Sequence, residues 1–350
     1  MQAGFRPVKR LIRLAPRSIK DDTIPWHPAF AGIAPSTHQR PTLDQFLSEV
    51  LRQALHFTSR VIPSDPHDAP PQNPTSKRPT RSSSSWRPKS VKKVDGIDVR
   101  IYARKLRPDE FHVPVTGTNS SASDAHSPPI DPKEETEYWF ARRSVHENLK
   151  GEGTASFGEF EEGLKENHAE NEAEYTPGIK WVRKLVAWEG AGDRWADVSM
   201  SIYEICHGLP PGLSSRIFPI LLIAAKTSPS EFLVISLPLK DTHLLPESAI
   251  PSYSASAVVA KYVAVERVRV LGGVEGGSGQ EADGGVVEWL MCTASNACGW
   301  LPMVVQKGKI PGVIAKDVGL FLGWVGGRRR MGKGEEELEE SEERTGGGGE

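Results

Sequence analysis

The stretch from Val286 to Val325, VVEWLMCTASNACGWLPMVVQKGKIPGVIAKDVGLFLGWV, constrains the fold more than any other. It reads as a core strand, a tight connection and a long amphipathic helix. Val286 to Ser295 is dense in β-branched, aromatic and other apolar residues, so both faces are predicted to be buried, with Glu288 the exception. Asn296, Gly299 and Pro302 supply turn chemistry. Ile310, Val313, Ile314, Val318, Phe321, Leu322 and Val325 then recur at three- and four-residue steps and form one apolar stripe. Pro311 suits a first helical turn and not an interior one. The spacing therefore predicts a short helix around Pro302 to Gln306, a break, and a main helix from about Pro311. A sheet finished by such a helix suggests a helix closed over a cavity.

The rest of the chain divides by composition. Of 350 residues, 38% are hydrophobic and 25% charged, with a net charge of -2, which carries no nucleic-acid signature. Proline and glycine cluster, so about one domain's worth of chain is left for a packed core. The reading is a basic lead-in over residues 1–40, a domain over 41–325, and a charged, glycine-rich tail over 326–350 that is expected to be disordered. Low-complexity insertions at 61–90 and 108–135 are read as a flexible linker and a disordered loop. Cys206, Cys292 and Cys298 lack paired spacing and nearby histidines, so buried free thiols are expected, with no metal site and no cofactor. No segment reaches the ~18–20 continuous apolar residues of a membrane span. The sequence points to a cytoplasmic protein. The alternative is mitochondrial import, because Arg6, Lys9, Arg10, Arg13, Arg17 and Lys20 precede the first acid, Asp21, although Pro7 and Pro16 limit a helix there.

Two further helices carry start signals. Thr42 and Gln45 form a capping box ahead of the stripe Leu43, Phe46, Leu47, Val50, Leu51, Ala54 and Leu55. Ser156 and Glu159 do the same ahead of Phe157, Phe160 and Leu164, with Tyr175-Thr-Pro-Gly178 as the stop. Strand signals follow at Ile97–Tyr102, Tyr138–His146, Ile179–Trp188, Arg194–Cys206, Ile217–Lys226, Glu231–Pro238, Lys261–Leu271 and Val286–Ser295. Successive strands with short Gly/Pro connections argue an antiparallel sheet, and the whole order an α+β fold.

These blocks, YWFARRSVHE (138–147), SFGEFEEGLKENHAENEAEY (156–175), IYEICH (202–207), YVAVERVRVL (262–271) and 288–325, resemble a fungal family of unknown function in the START-like, helix-grip superfamily. The resemblance implies a curved antiparallel sheet gripping a long C-terminal α-helix around a hydrophobic cavity. It also implies a lipid, sterol or other apolar molecule as ligand. Fold alone does not decide function.

Chemistry is sought where polar residues interrupt apolar strand rows. Glu204 interrupts Val198, Met200, Ile202 and Cys206; Glu266 interrupts Tyr262, Ala264, Val268 and Val270; Arg143 interrupts Trp139, Ala141 and Val145. Such groups must be paired or shift their ionisation. Arg143 with Glu204 or Glu266 would hold a ligand's polar head, with Trp289 in the core or cavity wall; a structural ion pair would give the same pattern. His146 and His207 lack a nucleophile or orienting acid nearby in sequence, so no catalytic set is assigned. The leading expectation is a non-catalytic carrier or sensor of a hydrophobic small molecule or lipid, with transient membrane-surface contact and no nucleic-acid partner. The alternatives are a cyclase- or hydrolase-like enzyme using Glu204, Glu266 and His146, and an interaction platform using the linkers and tail.

Overall fold

The computed structural model describes residues 10–33, 40–61, 86–110, 135–189, 197–253, 255–272, 285–299 and 303–346. In chain order the strands are β1 (Arg17–Ser18), β2 (Arg87–Val94), β3 (Ile97–Leu106), β4 (Glu137–Glu147), β5 (Ile179–Trp188), β6 (Val198–His207), β7 (Ser215–Ser228), β8 (Glu231–Lys240), β9 (Ala257–Val259), β10 (Lys261–Leu271) and β11 (Val286–Asn296). The helices are α1 (Leu43–Thr58), α2 (Phe157–Phe160), α3 (His168–Tyr175), α4 (Ile250–Tyr253) and α5 (Met303–Gly346). Among the described residues the strands form one sheet in the order β2-β3-β4-β11-β10-β8-β7-β6-β5, all antiparallel along this path. The expected α+β architecture, a large antiparallel sheet with a C-terminal helix on it, is the observed one.

Both faces of the sheet are covered. On the outer face, α1 and residues 10–33 bury Ile12, Ile19, Ile24, Phe30, Phe46, Leu47 and Val50 against Leu221, Ile223, Leu233 and Ile235. On the inner face, α2, α3 and α5 bury Phe160, Leu164, Val318 and Phe321 against Phe140, Ile220, Val234, Val268 and Trp289. That double burial explains why β7 and β8 read as continuous apolar runs rather than alternating ones. Nine strands laid flat would span about 38 Å at ~4.8 Å each. Yet α3 touches β5 at one end and also α5, which crosses β2, β3 and β4 at the other. Two helices side by side cover only ~20–24 Å, so the sheet has to curl around them.

Local sequence signals account for the helix starts. The Thr42 and Ser156 capping boxes are both closed. After α2 the chain passes through a π-helical turn, Glu161–Lys165, and Asn167 then takes a left-handed conformation at φ 45°. One expected helix is thereby split in two. The Asn171 side chain holds the split together by donating to the carbonyls of Glu162, Gly163 and Glu166. Gly163 is required here, because an added Cβ would lie 2.5 Å from Phe321 and 2.9 Å from Trp324 of α5.

Four expectations about extent are corrected. Residues 10–33 are not a lead-in but part of the outer layer, with β1 paired to β8. β2 begins at Arg87, so the first insertion is shorter than 61–90; residues 62–85 lie outside the described residues, as do 111–134 of the second. The final helix does not break at Pro311 or end at 326: α5 runs unbroken to Gly346 and includes Pro311. The missing Pro311 N–H costs one ladder bond, and the buried ring packs against the domain instead. Within α5, Gly308–Gly332 is long and apolar enough to cross a membrane by length and composition, although its apolar stripe is packed on the sheet here.

Candidate functional site

Strand register decides which polar residues meet. Arg142 of β4 lies opposite Met291 of β11, and Met291 opposite Glu266 of β10. Opposed residues share a face, and this row points inward, beside Trp289. The Arg142 guanidinium is 3.6 Å from the Trp289 ring centroid, and its Nη2 is 3.6 Å from Glu266 Oε2. Trp289 Nε1 donates to the same Oε2 at 2.8 Å. Arg142 is 1% exposed, and its Nε and Nη1 have no hydrogen-bond partner.

Helices α3 and α5 complete the cluster. His168 Nδ1 donates to Leu164 O at 2.6 Å, which turns Nε2 toward Glu266 at 3.8 Å and Glu172 at 4.0 Å. Burial pushes the Glu172 carboxyl up to about 7, and the charges of Glu266 and Asp317 add to this against His168 and Arg142. Burial likewise raises Asp317 of α5 to about 6, with Arg142 opposing and Glu266 adding. Tyr175 and Tyr262 are held well above the usual phenol range by burial, with the same acids behind it. Glu172 still keeps 29% of its side-chain surface open, and Asp317 and Tyr262 are only half-buried. Phe218 packs edge-on against the Tyr262 ring on the inner face, and both are partly open.

Much of the gap between sheet and helix is filled. Phe160, Trp289, Phe321 and Tyr175 pack ring against ring there. A separate polar cleft of about 380 Å³ opens between the π turn and β5–β7, lined among others by Lys165, His168, Lys184, Asp197, Ser201 and Tyr203. His168 is thus the wall between this cleft and the buried acids.

The residues singled out in sequence do not all come together. Glu266 and Trp289 sit in the cluster. Arg143 is one residue from Arg142 and therefore on the opposite face, where it pairs with Glu288 at 2.5 Å. Glu288, expected to be the exposed exception in β11, is instead 1% exposed, because Arg143 and Arg269, at 2.6 Å, both pair with it. Glu204 is also on the outer face and fully buried. It accepts from Thr242 Oγ1 at 3.1 Å, Ser248 Oγ at 2.7 Å and the Ala249 N–H at 2.8 Å. The expected pairing of Arg143 with Glu204 or Glu266 does not form, and Glu204 instead fastens the 242–250 segment. Glu204, Glu266 and His146 do not converge as an acid–base set. His146 is on the inner face, bonded to Ser144 Oγ at 2.8 Å, and burial beside Arg142 lowers it to about 4. His207 is lowered to about 4 by burial alone.

Sequence reasoning missed Arg142, His168, Glu172 and Asp317. Arg142 was readable in the row Tyr138, Phe140, Arg142, Ser144 and His146. That row is the more polar of the two in β4, and sequence alone does not show that the sheet is covered on both faces. Glu172 is one of a run of acids on the polar side of its helix, and nothing in the local pattern singles out His168 or Asp317. Among the described residues, no group of His, Cys, Asp and Glu is placed to hold a metal ion.

Solved structures similar to the chain include three lipid-transfer proteins. The human StarD13 (DLC2) lipid transfer and protein localization domain is 12% identical, covers 68% of this chain and 87% of its own, and has a TM-score of 0.40. Human StAR-related lipid transfer protein 5 is 10% identical over 72% and 90%, with a TM-score of 0.43. A STAR-related lipid transfer protein from Xanthomonas axonopodis is 14% identical over 70% and 98%, with a TM-score of 0.38. No curated protein sequence matches the chain. A family profile matches residues 139–325, from Trp139 of β4 to Val325 of α5, and so takes in the inner-face cluster; the chain belongs to that family, Protein of unknown function (DUF3074).

Proposed function

We propose that this protein binds a hydrophobic small molecule in the space between the inner face of the sheet and helices α3 and α5, without catalysing a reaction on it. The observation that carries this is Arg142. A guanidinium 1% exposed, with Nε and Nη1 unpaired, is costly to keep and does nothing for the fold that an apolar side chain would not do. It makes sense as one end of a site whose other half arrives with a ligand. The apolar and aromatic wall around it suits the ligand's body, and the few convergent polar groups suit its head. The head-group role expected of Arg143 and Glu204 is thereby given to Arg142 and Glu266, with Trp289 orienting the pair. The lipid-transfer proteins among the similar structures fit this reading, which stands on the interior geometry and not on them.

The test is native mass spectrometry of the full chain, followed by organic extraction and identification of what leaves with it. A stoichiometric apolar compound, absent from the Arg142→Met variant, supports the reading. An apo mass unchanged after incubation with a broad mixture of apolar compounds overturns it.

A further inference from the structure

The polar cleft beside the π turn lies apart from the interior cluster. Its floor comes from the inner face of the sheet. Ser199, Ser201 and Tyr203 alternate along β6, so they share that face. At ~6.8 Å per two residues they set out a row of hydroxyls. β7 lays Ala224 opposite Ser199 and Leu222 opposite Ser201, so the floor is half hydroxyl and half hydrocarbon. The roof is irregular backbone: the π turn Glu161–Lys165, then Asn167 at φ 45°. Such π turns recur at functional sites. Ser201 is the anomaly. It lines the open cleft and is 9% exposed, yet among the described residues its hydroxyl makes no hydrogen bond. A buried hydroxyl left without a partner is costly to the fold.

The charges around Ser201 are already paired with one another. Lys165 holds Asp197 at 2.5 Å and Glu161 at 3.3 Å, and Lys184 holds Glu170 at 3.3 Å. Tyr203 donates to the same Glu170 at 3.0 Å. Glu166, at the rim, is exposed to water. An anion would have to draw a lysine from its carboxylate and sit among the remaining acids. A cation would have to displace a lysine in the same way. A neutral guest breaks no pair and still finds donors and acceptors on every side. We propose that this cleft binds a neutral polyhydroxylated unit, a sugar or a cyclitol. Its C–H face lies on Leu222 and Ala224, and its hydroxyls meet the β6 row with Ser201 at the centre. The volume of about 380 Å³ is at the lower end of small-molecule sites, about 300–1,000 Å³. A free polyol and the glycosyl head of an amphiphile offer the same hydroxyls. The proposal stands independently of the interior-binding reading.

The experiment is a saturation-transfer NMR titration of the full chain with maltose, myo-inositol, octyl β-glucoside, inorganic phosphate and butylamine near neutral pH. At least one of the three polyols is expected to bind ~10-fold or more tightly than phosphate or butylamine. Ser201→Ala weakens it by ~2–10-fold, the worth of one hydrogen bond. Ser199 is exposed, so Ser199→Trp keeps the fold, fills the cleft and abolishes binding. Octyl β-glucoside favoured over maltose by ~10-fold assigns the unit to an amphiphile's head. Comparable binding assigns it to a free polyol, and either result supports the proposal. Phosphate or butylamine binding as tightly as the polyols overturns it. So does a panel in which no polyol binds, or polyol binding unchanged in both variants, which would place the guest elsewhere.

Discussion

Replacing the buried pair tests whether the cluster serves the fold or a guest. In the double variant Arg142→Met/Glu266→Gln the cation and its counter-ion leave together, so no lone charge remains. The two unpaired guanidinium edges of Arg142 each forfeit ~1–3 kcal/mol in a buried site. The Trp289 stack returns up to ~2 kcal/mol of that. A Met thioether fills the same volume and still packs on the indole, and the amide oxygen introduced by Glu266→Gln can accept from Trp289 Nε1. Replacing a buried ion pair by matched neutral groups is commonly neutral to ~4 kcal/mol stabilising. We expect a gain of about 1–3 kcal/mol in urea unfolding, or a rise of roughly 2–10 °C in Tm, together with loss of ligand capture. A double variant that is destabilised by more than ~2 kcal/mol would overturn this account, because the cluster would then be a structural element. So would a variant that keeps its ligand.

Further outcomes follow from the same contacts. Glu204→Ala leaves the donors of Thr242, Ser248 and Ala249 without an acceptor; it is expected to cost about 3–5 kcal/mol in urea unfolding, with unchanged ligand stoichiometry in the fraction that folds. Arg143→Ala is expected to cost under ~1 kcal/mol, because Glu288 keeps Arg269, and a larger loss would show that the outer ion pair matters more than its partial exposure suggests. Gly163→Ala drives a methyl into the Phe321 ring and is expected to destabilise by ~1–3 kcal/mol with loosened α5, read as faster amide exchange in that helix. Glu172 and Asp317 rise from 4.5 and 3.8 to about 7 and about 6 on folding. The folded state therefore holds their protons more tightly. Their contribution is complete below about pH 4 and is lost as pH rises through 6 to 7. His146 and His207, lowered to about 4, act oppositely and lose stability as pH falls below 6.5. The difference between wild type and Glu172→Gln/Asp317→Asn in pH-dependent unfolding isolates the acids, and parallel curves would contradict their burial.

How much of this was legible follows from what each signal encodes. Capping boxes act within four residues, so Thr42–Gln45 and Ser156–Glu159 announced their helices correctly. Dense β-branched runs announced β6, β7, β8, β10 and β11 for the same local reason. Glu266 was also readable, because it interrupts an apolar row inside one strand. Pro311 misled: the penalty it carries is local, but α5 is held by its packing against the sheet, and packing outweighed one lost bond. Arg143 misled for a different reason. In a strand, neighbouring residues point to opposite faces, so choosing between Arg142 and Arg143 requires knowing which face is the interior. A sheet covered on both sides gives no such asymmetry in its sequence.

Element types, their order and the α+β class were written in the chain, because hydrophobic period and capping are set by neighbours along it. So was the intrusion of Arg143, Glu204 and Glu266 into apolar strand rows. Which of those charges meet was settled in three dimensions. Arg142, Met291 and Glu266 share a line only through the pairing of three strands distant in the chain. Glu172 and Asp317 join them only because the sheet curls far enough for α3 and α5 to close on its inner face. Burial then changed their chemistry, turning two ordinary helix-surface acids into carboxyls that titrate near neutrality, because desolvation depends on what surrounds a group in space rather than on what precedes it in sequence.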